Sequence, residues 1–148
     1  MKKILVVGGA GYVGGVVVDL LLKSKNYEIT VYDNLLYEES FRKNCKFIYG
    51  DVRDKFFFKK NCNNYNYIIW LAALVGDGAC NINPKVTNDI NYKSLIVIKN
   101  LFKGKLIFFS TCSVYGCQNT LLDEESKTDP LSIYASSKLL VEKLFVNK

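Results

Sequence analysis

A chain of 148 residues with 49% apolar and 23% charged residues is the size of one ordinary domain with a packed core, which excludes disordered, collagen-like and low-complexity classes. Histidine is absent, so Ser-His-Asp triads, His-ligated zinc and imidazole bases are excluded too. The net charge is +6, yet 18 of the 20 basic residues are Lys, scattered along the sequence, which argues against a nucleic-acid partner.

Ile4-Leu5-Val6-Val7 is an apolar run that stops at Gly8, the pattern of a strand buried on both faces. Val13, Val16, Val17, Leu20 and Leu21 then recur on one side of a helix. The 19 residues from Ile4 to Leu22 hold a single charge, Asp19, and superficially resemble a signal or membrane segment. Their five glycines, each costing about 1 kcal/mol in a helix interior, and the lack of a cleavage site argue instead for strand, turn and helix, with no membrane partner. Further strands are predicted over Glu28–Tyr32, Lys46–Tyr49, Tyr67–Leu71 and Lys105–Phe109. Between the last two, Ile90, Ser94, Val97, Ile98 and Leu101 form a helical stripe. The final predicted helix, Leu131–Asn147, carries Ile133, Val141, Leu144 and Phe145 as its apolar side. Strands separated by helical stretches predict an α/β fold, a doubly wound parallel Rossmann sheet of about five strands. No sixth strand follows, and Gln118–Asp129 is the long irregular segment.

Gly8-Gly9-Ala10-Gly11-Tyr12-Val13-Gly14 satisfies both GxGxxG from Gly9 and GxxGxxG from Gly8. Between a strand and an amphipathic helix, such glycines permit a tight turn, a backbone approach to a pyrophosphate and close helix packing. Asp33 ends the second predicted strand 19 residues after Gly14, where a carboxylate accepts from the ribose hydroxyls of an adenosine and repels a 2′-phosphate. The pattern predicts NAD rather than NADP; an ordinary turn Asp is the alternative. Tyr134-Ala135-Ser136-Ser137-Lys138 places Tyr and Lys one helical turn apart, on one face. Ser110-Thr111-Cys112-Ser113 follows the fifth strand, where open α/β sheets bind ligands. Cys112 and Cys117 flank this loop, but with no His and no CxxC pair among Cys45, Cys62, Cys80, Cys112 and Cys117 the chain offers no metal ligand set. Its thiols read as reduced, hence cytoplasmic.

Together these motifs resemble the extended short-chain dehydrogenase/reductase family, specifically its NAD-dependent nucleotide-sugar epimerases and dehydratases, over nearly the whole chain. The resemblance extends to Gly50-Asp51-Val52-Arg53-Asp54, similar to an adenine-contacting GDxxD, to Leu71-Ala72-Ala73, similar to HxAA after the fourth strand, and to Asn91. It implies Thr111, Tyr134 and Lys138 as catalytic residues, with Ser113 the second choice for the hydroxyl and a mere turn cap the alternative for Thr111. As cofactor-binding residues it implies Gly8, Gly11, Tyr12, Val13, Gly14, Asp33, Asn34, Asp51, Val52, Leu71, Ala72, Ala73 and Lys138. A free Tyr has a pKa of about 10, so a tyrosinate base at neutral pH needs about 4 kcal/mol of stabilisation. Lys138 and the positive nicotinamide ring are the expected sources.

Departures sharpen the expectation. Trp70 stands where many relatives carry His, and Gly78 replaces a Pro. Cys112 and Ser113 follow Thr111 where the dehydratase branch carries an acidic pair, which favours an epimerase acting on a nucleotide-sugar. The chain is expected to comprise one NAD-binding domain, residues 1–148, without the C-terminal substrate-binding part. The alternative is a non-catalytic NAD-binding fragment or a half-enzyme needing a partner chain, and the open edge beyond the fifth strand predicts self-association or such a partner.

Overall fold

The computed structural model describes residues 1–38 and 40–146, so Asn147, the end of the last predicted helix, lies outside the described residues. Five parallel strands form one sheet in the order β3-β2-β1-β4-β5, with β1 at Lys2–Val7, β2 at Tyr27–Asp33, β3 at Lys46–Tyr49, β4 at Tyr67–Trp70 and β5 at Lys105–Phe108. Each predicted strand is present, within two residues at either end. Helix α1 (Tyr12–Ser24) links β1 to β2, and α2 (Lys55–Asn61) links β3 to β4. Asp54 caps α2 by accepting from the amides of Phe56 and Phe57 at 3.0 Å. The connection from β4 to β5 contains α3 (Asp77–Ile82), α4 (Pro84–Asn88), a π-type turn over Asp89–Lys93 and α5 (Ser94–Leu101). After β5, residues 109–132 hold only one short 3₁₀ turn (Cys112–Tyr115) before α6 (Ile133–Val146).

Alternation along the strands gives the sheet two apolar faces. On one face Leu5, Val7, Tyr32, Ile68 and Trp70 pack with Phe58 of α2, Leu95 and Ile98 of α5 and Val141 of α6. On the other face Ile4, Val6, Ile29, Val31 and Ile69 pack with Val18 of α1. The predicted inward stripe of α1 is rotated in the structure. Gly14 and Val18 are buried and Val17, Leu21 and Leu22 half-buried, whereas Val13, Val16 and Leu20 are exposed, the last two by 55% and 61%. At 100° per residue the exposed three form one flank of the helix. Asp19, on the opposite flank, pairs with Lys43 just before β3 at 2.7 Å. The Val13–Leu20 flank therefore turns toward β4 and β5, and no other helix among the described residues lies on that part of the sheet.

Eight of the lysines scattered in the sequence lie at one pole. Lys2, Lys46 and Lys105 begin strands, and Lys23, Lys59, Lys60, Lys99 and Lys143 lie in last helical turns, where positive charge complements the helix dipole. The opposite pole, at the carboxyl ends of the strands, holds the site.

Candidate functional site

The first βα turn is built on close approach. Gly8 has φ of +84°, and a Cβ there would lie 2.5 Å from the Ala72 nitrogen; at Gly14 it would lie 2.1 Å from the Gly8 carbonyl. Both contacts forbid a side chain, so β1, α1 and the exit of β4 meet at backbone distance. Gly8, Gly11 and Gly14 line a pocket of about 460 Å³. Gly9 does not line it; a Cβ there would meet the Val31 side chain at 2.8 Å. Of the two overlapping glycine motifs, the wider one faces the pocket and Gly9 serves packing. Helix α1 starts at Gly11 without a side-chain cap, leaving its first amides as donors for an anion.

All the other predicted cofactor residues except Lys138 converge on this pocket. Tyr12, Val13, Asp33, Asn34, Asp51, Val52, Leu71, Ala72 and Ala73 all line it. Asp33 is held by two amides, accepting from Ala10 at 3.0 Å and from Leu35 at 2.8 Å. Its carboxylate thus ties the glycine loop to the end of β2 while lining the pocket. Asp51 accepts from the Arg53 side chain and amide, which holds its carboxyl below the usual range. Asp54 of the same motif is a helix cap and does not line the pocket. Trp70, at the position expected to carry His, packs on the face under α2, α5 and α6 and is fully buried; among the described residues its indole nitrogen has no partner.

A second group lies beyond the Val75 and Ile90 end of the pocket. Asn91, buried beside Ile90 on the π-type turn, donates to the Leu74 carbonyl at 3.0 Å and to Ser137 Oγ at 3.1 Å, and accepts from the Leu74 amide at 2.8 Å. This joins the pocket wall to α6. On α6, Tyr134 and Lys138 face the exit of β5. Thr111 caps the 3₁₀ turn by accepting from the Ser113 amide at 3.2 Å, and it also stands beside the Tyr134 phenol. Burial raises the Tyr134 pKa, with the Thr111 hydroxyl offsetting part of the rise. Lys138 is 4% exposed. Its Nζ donates to the Phe109 carbonyl at 2.7 Å and stands 4.5 Å above the Phe108 ring, and burial brings its pKa down to about 8. In this geometry the Lys138 ammonium is directed to the Phe109 carbonyl, and desolvation is the largest influence at Tyr134. Thr111, Tyr134 and Lys138 form a cluster of their own and do not line the 460 Å³ pocket.

Sequence reasoning missed Tyr32, Leu36, Tyr37, Glu38, Leu74, Val75 and Ile90 of the pocket wall, as well as Ser137. Loop residues without a motif carried no signal; Ser137, inside the Tyr-Lys segment and one residue before Lys138, was visible but unassigned. The cysteines are all free. Among the described residues no group of potential ligands is arranged for a metal, and no helix is long and apolar enough to cross a membrane.

A strand-glycine-helix cradle, an acidic residue closing β2 and a Tyr-Lys helix beside a Ser/Thr loop define the class of nicotinamide-dependent Rossmann proteins. Residues 4–147 match the NAD dependent epimerase/dehydratase family, and the chain belongs to that family. It is 30% identical to a UDP-glucose 4-epimerase of Streptomyces lividans over 99% of its own length and 47% of that protein. Among solved structures it resembles a UDP-glucose 4-epimerase with a TM-score of 0.86 and 31% identity, over 98% of this chain and 46% of the other. A UDP-glucose 4-epimerase from Brucella ovis in complex with NAD matches with a TM-score of 0.87 and 27% identity, over 99% and 47% of the two chains. The chain spans about half the length of the curated relatives it matches. NAD is the family's cofactor, and the cradle fits it: glycines where a Cβ would collide, uncapped amides at α1 and a carboxylate at the end of β2.

Proposed function

We propose that this chain carries the NAD-binding and proton-transferring half of a nucleotide-sugar epimerase. The observation that supports it is the placement of Tyr134, Lys138 and Thr111 at the carboxyl end of β5, joined through Asn91 and Ser137 to the wall of the glycine-lined pocket. In this reading Gly8, Gly11 and Gly14 admit the pyrophosphate, and Asp33 and Asn34 accept from the adenosine ribose. Asp51 and Val52 flank the adenine, with Tyr12, Val13, Leu71, Ala72 and Ala73 completing the walls. NAD, when bound, supplies the acceptor for a hydride and a positive charge near the phenol. Thr111 hydrogen-bonds the reacting sugar oxygen. Tyr134, ionised, takes the hydroxyl proton as the carbinol C–H bond breaks and the carbonyl forms. The same residues return the proton when the keto sugar is reduced from its other face. Lys138 contributes a second cation one turn along the helix and a contact to the nicotinamide ribose. Cys112 and Ser113, in place of an acidic pair after Thr111, favour epimerisation over water elimination.

The same reading includes a polypeptide partner. Ile107 and Phe109, 45% and 43% exposed, lie on the α1 side of the sheet, as the pairing of Ile107 with Ile69 requires. With Val16 and Leu20 they make an apolar face beside the unpaired edge of β5. Relatives twice as long hold a further half-chain, and the occupant proposed for this face is polypeptide equivalent to that half, adding a strand to β5 and a helix beside α1. The reading is tested by assaying interconversion of UDP-glucose and UDP-galactose with this chain alone and with the C-terminal half of a relative. Turnover is expected only with both, and Tyr134→Phe in the pair should lower it at least about 100-fold while NAD affinity stays within twofold. A clean monomer by light scattering that turns over alone at about 1 per second or faster overturns the partner reading. Retained turnover in Tyr134→Phe overturns the assignment of the base.

A further inference from the structure

Helix α6 carries Tyr134, Lys138 and Glu142 at intervals of four residues, so all three lie on one face. Lys138 and Glu142 have opposite charges one turn apart, the spacing of a helical ion pair, yet among the described residues they do not pair with each other. Each instead holds one of two consecutive residues at the exit of β5. Lys138 donates to the Phe109 carbonyl at 2.7 Å, and Glu142 accepts from the Ser110 hydroxyl. The next residue is Thr111, whose backbone is extended at φ −150° and ψ 143° and whose hydroxyl stands beside the Tyr134 phenol. Residues 109–111 are thus clamped to three successive turns of α6. The Lys138 half of the clamp is also part of the proposed chemistry; Glu142 has no such part.

We infer that Glu142 is a positioning residue: by holding Ser110 it sets where the Thr111 hydroxyl sits relative to Tyr134. The inference rests on the catalytic reading of Thr111 and Tyr134 for its consequence in turnover, though the clamp itself does not depend on that reading. The physical requirement is narrow. Ser110 and Phe109 lie at the uncovered edge of the sheet and both are exposed, so without the contacts from α6 only strand pairing on one side would hold this exit. A reacting group displaced by about 1 Å costs on the order of 100-fold in rate. A hydrogen bond from Ser110 to a helix already locked by the buried Val141 and Ser137 removes that freedom. The bond needs an acceptor oxygen on residue 142 rather than a negative charge, which separates this role from an electrostatic one.

The test reads Tyr134 directly in this chain, without turnover. Tyrosines labelled with ¹³C at Cζ report the hydrogen bonding of each phenol, and Tyr134→Phe assigns the Tyr134 signal. Thr111→Ala sets the displacement expected when the neighbouring hydroxyl is removed. Glu142→Ala and Ser110→Ala are each expected to move the signal in the same direction by at least half that displacement. The double variant should move it no further than either single change, and Glu142→Gln, which keeps the acceptor, should restore the wild-type position. NAD affinity by calorimetry is expected to stay within twofold throughout, because none of Ser110, Thr111, Tyr134 and Glu142 lines the pocket. In the assembled enzyme Glu142→Ala is expected to lower kcat about tenfold or more, with Glu142→Gln within threefold of wild type. A Tyr134 signal unmoved by Glu142→Ala overturns the inference, as does a Gln variant displaced as far as Ala. A moved signal in a pair that shows no turnover even as wild type supports the clamp and counts against the proposed function instead.

Discussion

The two faces of the sheet are built from similar residues and are covered very differently. Under α2, α5 and α6 the side chains of β1, β2 and β4 are closed over, and Leu5, Val7, Ile68, Trp70, Phe58, Leu95 and Val141 are all fully buried. Under α1 the cover reaches β1, β2 and Ile69 of β4 and stops, leaving Ile107 and Phe109 of the β5 segment open. The difference divides the site along the same line. The cofactor cradle rests on β1, β2 and α1, where both faces are packed. The Thr111 loop leaves the edge strand, where only one face is. Binding of the dinucleotide is therefore expected to tolerate changes that the proposed catalytic cluster does not.

The largest effect should come from the covered face. Leu95→Ala removes a fully buried side chain from a close-packed interior and is expected to cost about 2–5 kcal/mol, measured by the urea midpoint at constant slope. If it costs under about 1 kcal/mol, the covered face is no better packed than the open one and the comparison fails.

Lys138 belongs to both regions, since it hangs from the packed helix and reaches the edge strand. Burial holds its pKa at about 8 rather than the usual 10.5, a difference worth roughly 3 kcal/mol against the charged form. Between pH 8 and 10.5 the unfolded chain binds the proton and the folded one has released it, so stability rises with pH across that window; below it the full penalty remains. In Lys138→Met this rise is expected to disappear. At pH 7 the relief of the penalty and the loss of the bond to Phe109, worth about 1.5–3 kcal/mol, should leave stability within about 1 kcal/mol of wild type. Denaturant curves at pH 7, 8, 9 and 10 on both proteins decide it, because contributions common to the two cancel. An unchanged slope in the variant would show that Lys138 is not the group responsible. NAD affinity of the variant is expected to fall as well, through loss of the proposed ribose contact.

The packed cradle and the open edge also differ in how far the amino-acid sequence announces them. The glycine motif, Asp33 and the Tyr-Lys pair are legible because each is a local pattern whose chemistry dictates residue type and spacing. Strand positions are legible because buried parallel strands are short apolar runs. The orientation of α1 is not. Val13, Val16 and Leu20 are as apolar as Val17, Val18 and Leu21, and apolarity does not say which neighbour covers a residue. The π-type turn at Asp89–Lys93 is hidden for a related reason, since the Asn91 bonds to Leu74 and Ser137 span 17 and 46 residues. The Ser110–Glu142 contact, 32 residues apart, leaves no trace in either local sequence.

A smaller effect is expected at Asp33, on the packed side. Asp33→Ala removes the group proposed to accept from the ribose and to repel a 2′-phosphate, so the preference for NAD over NADP should narrow by about tenfold, or about 1.4 kcal/mol. Asp33 also accepts from the Ala10 and Leu35 amides, so part of any loss in NAD affinity will come from a looser loop. Asp33→Asn separates the two, because an amide oxygen still accepts from one of those amides but no longer carries charge. Calorimetric titration with both cofactors checks it, and NADP binding as tightly as NAD to the wild-type chain would remove the role assigned to this carboxylate.

The smallest effect on the folded chain should come from the open flank, and it sharpens the contrast most. Leu20→Glu places a charge where the side chain is 61% exposed, so it desolvates little and is expected to change the stability of the isolated chain by under about 0.5 kcal/mol. Its consequence belongs to association. With Val16, Ile107 and Phe109 it interrupts the apolar face that an added helix would cover, so any self-association of the isolated chain seen by light scattering should diminish. Restoration of turnover by a complementing half-chain should require a higher concentration of that half. If Leu20→Glu instead unfolds the chain, the flank is already packed in solution and the asymmetry between the two faces is lost. If it folds normally and complements as well as wild type, the occupant of this part of the sheet does not contact α1, and the site of docking narrows to the edge of β5 alone.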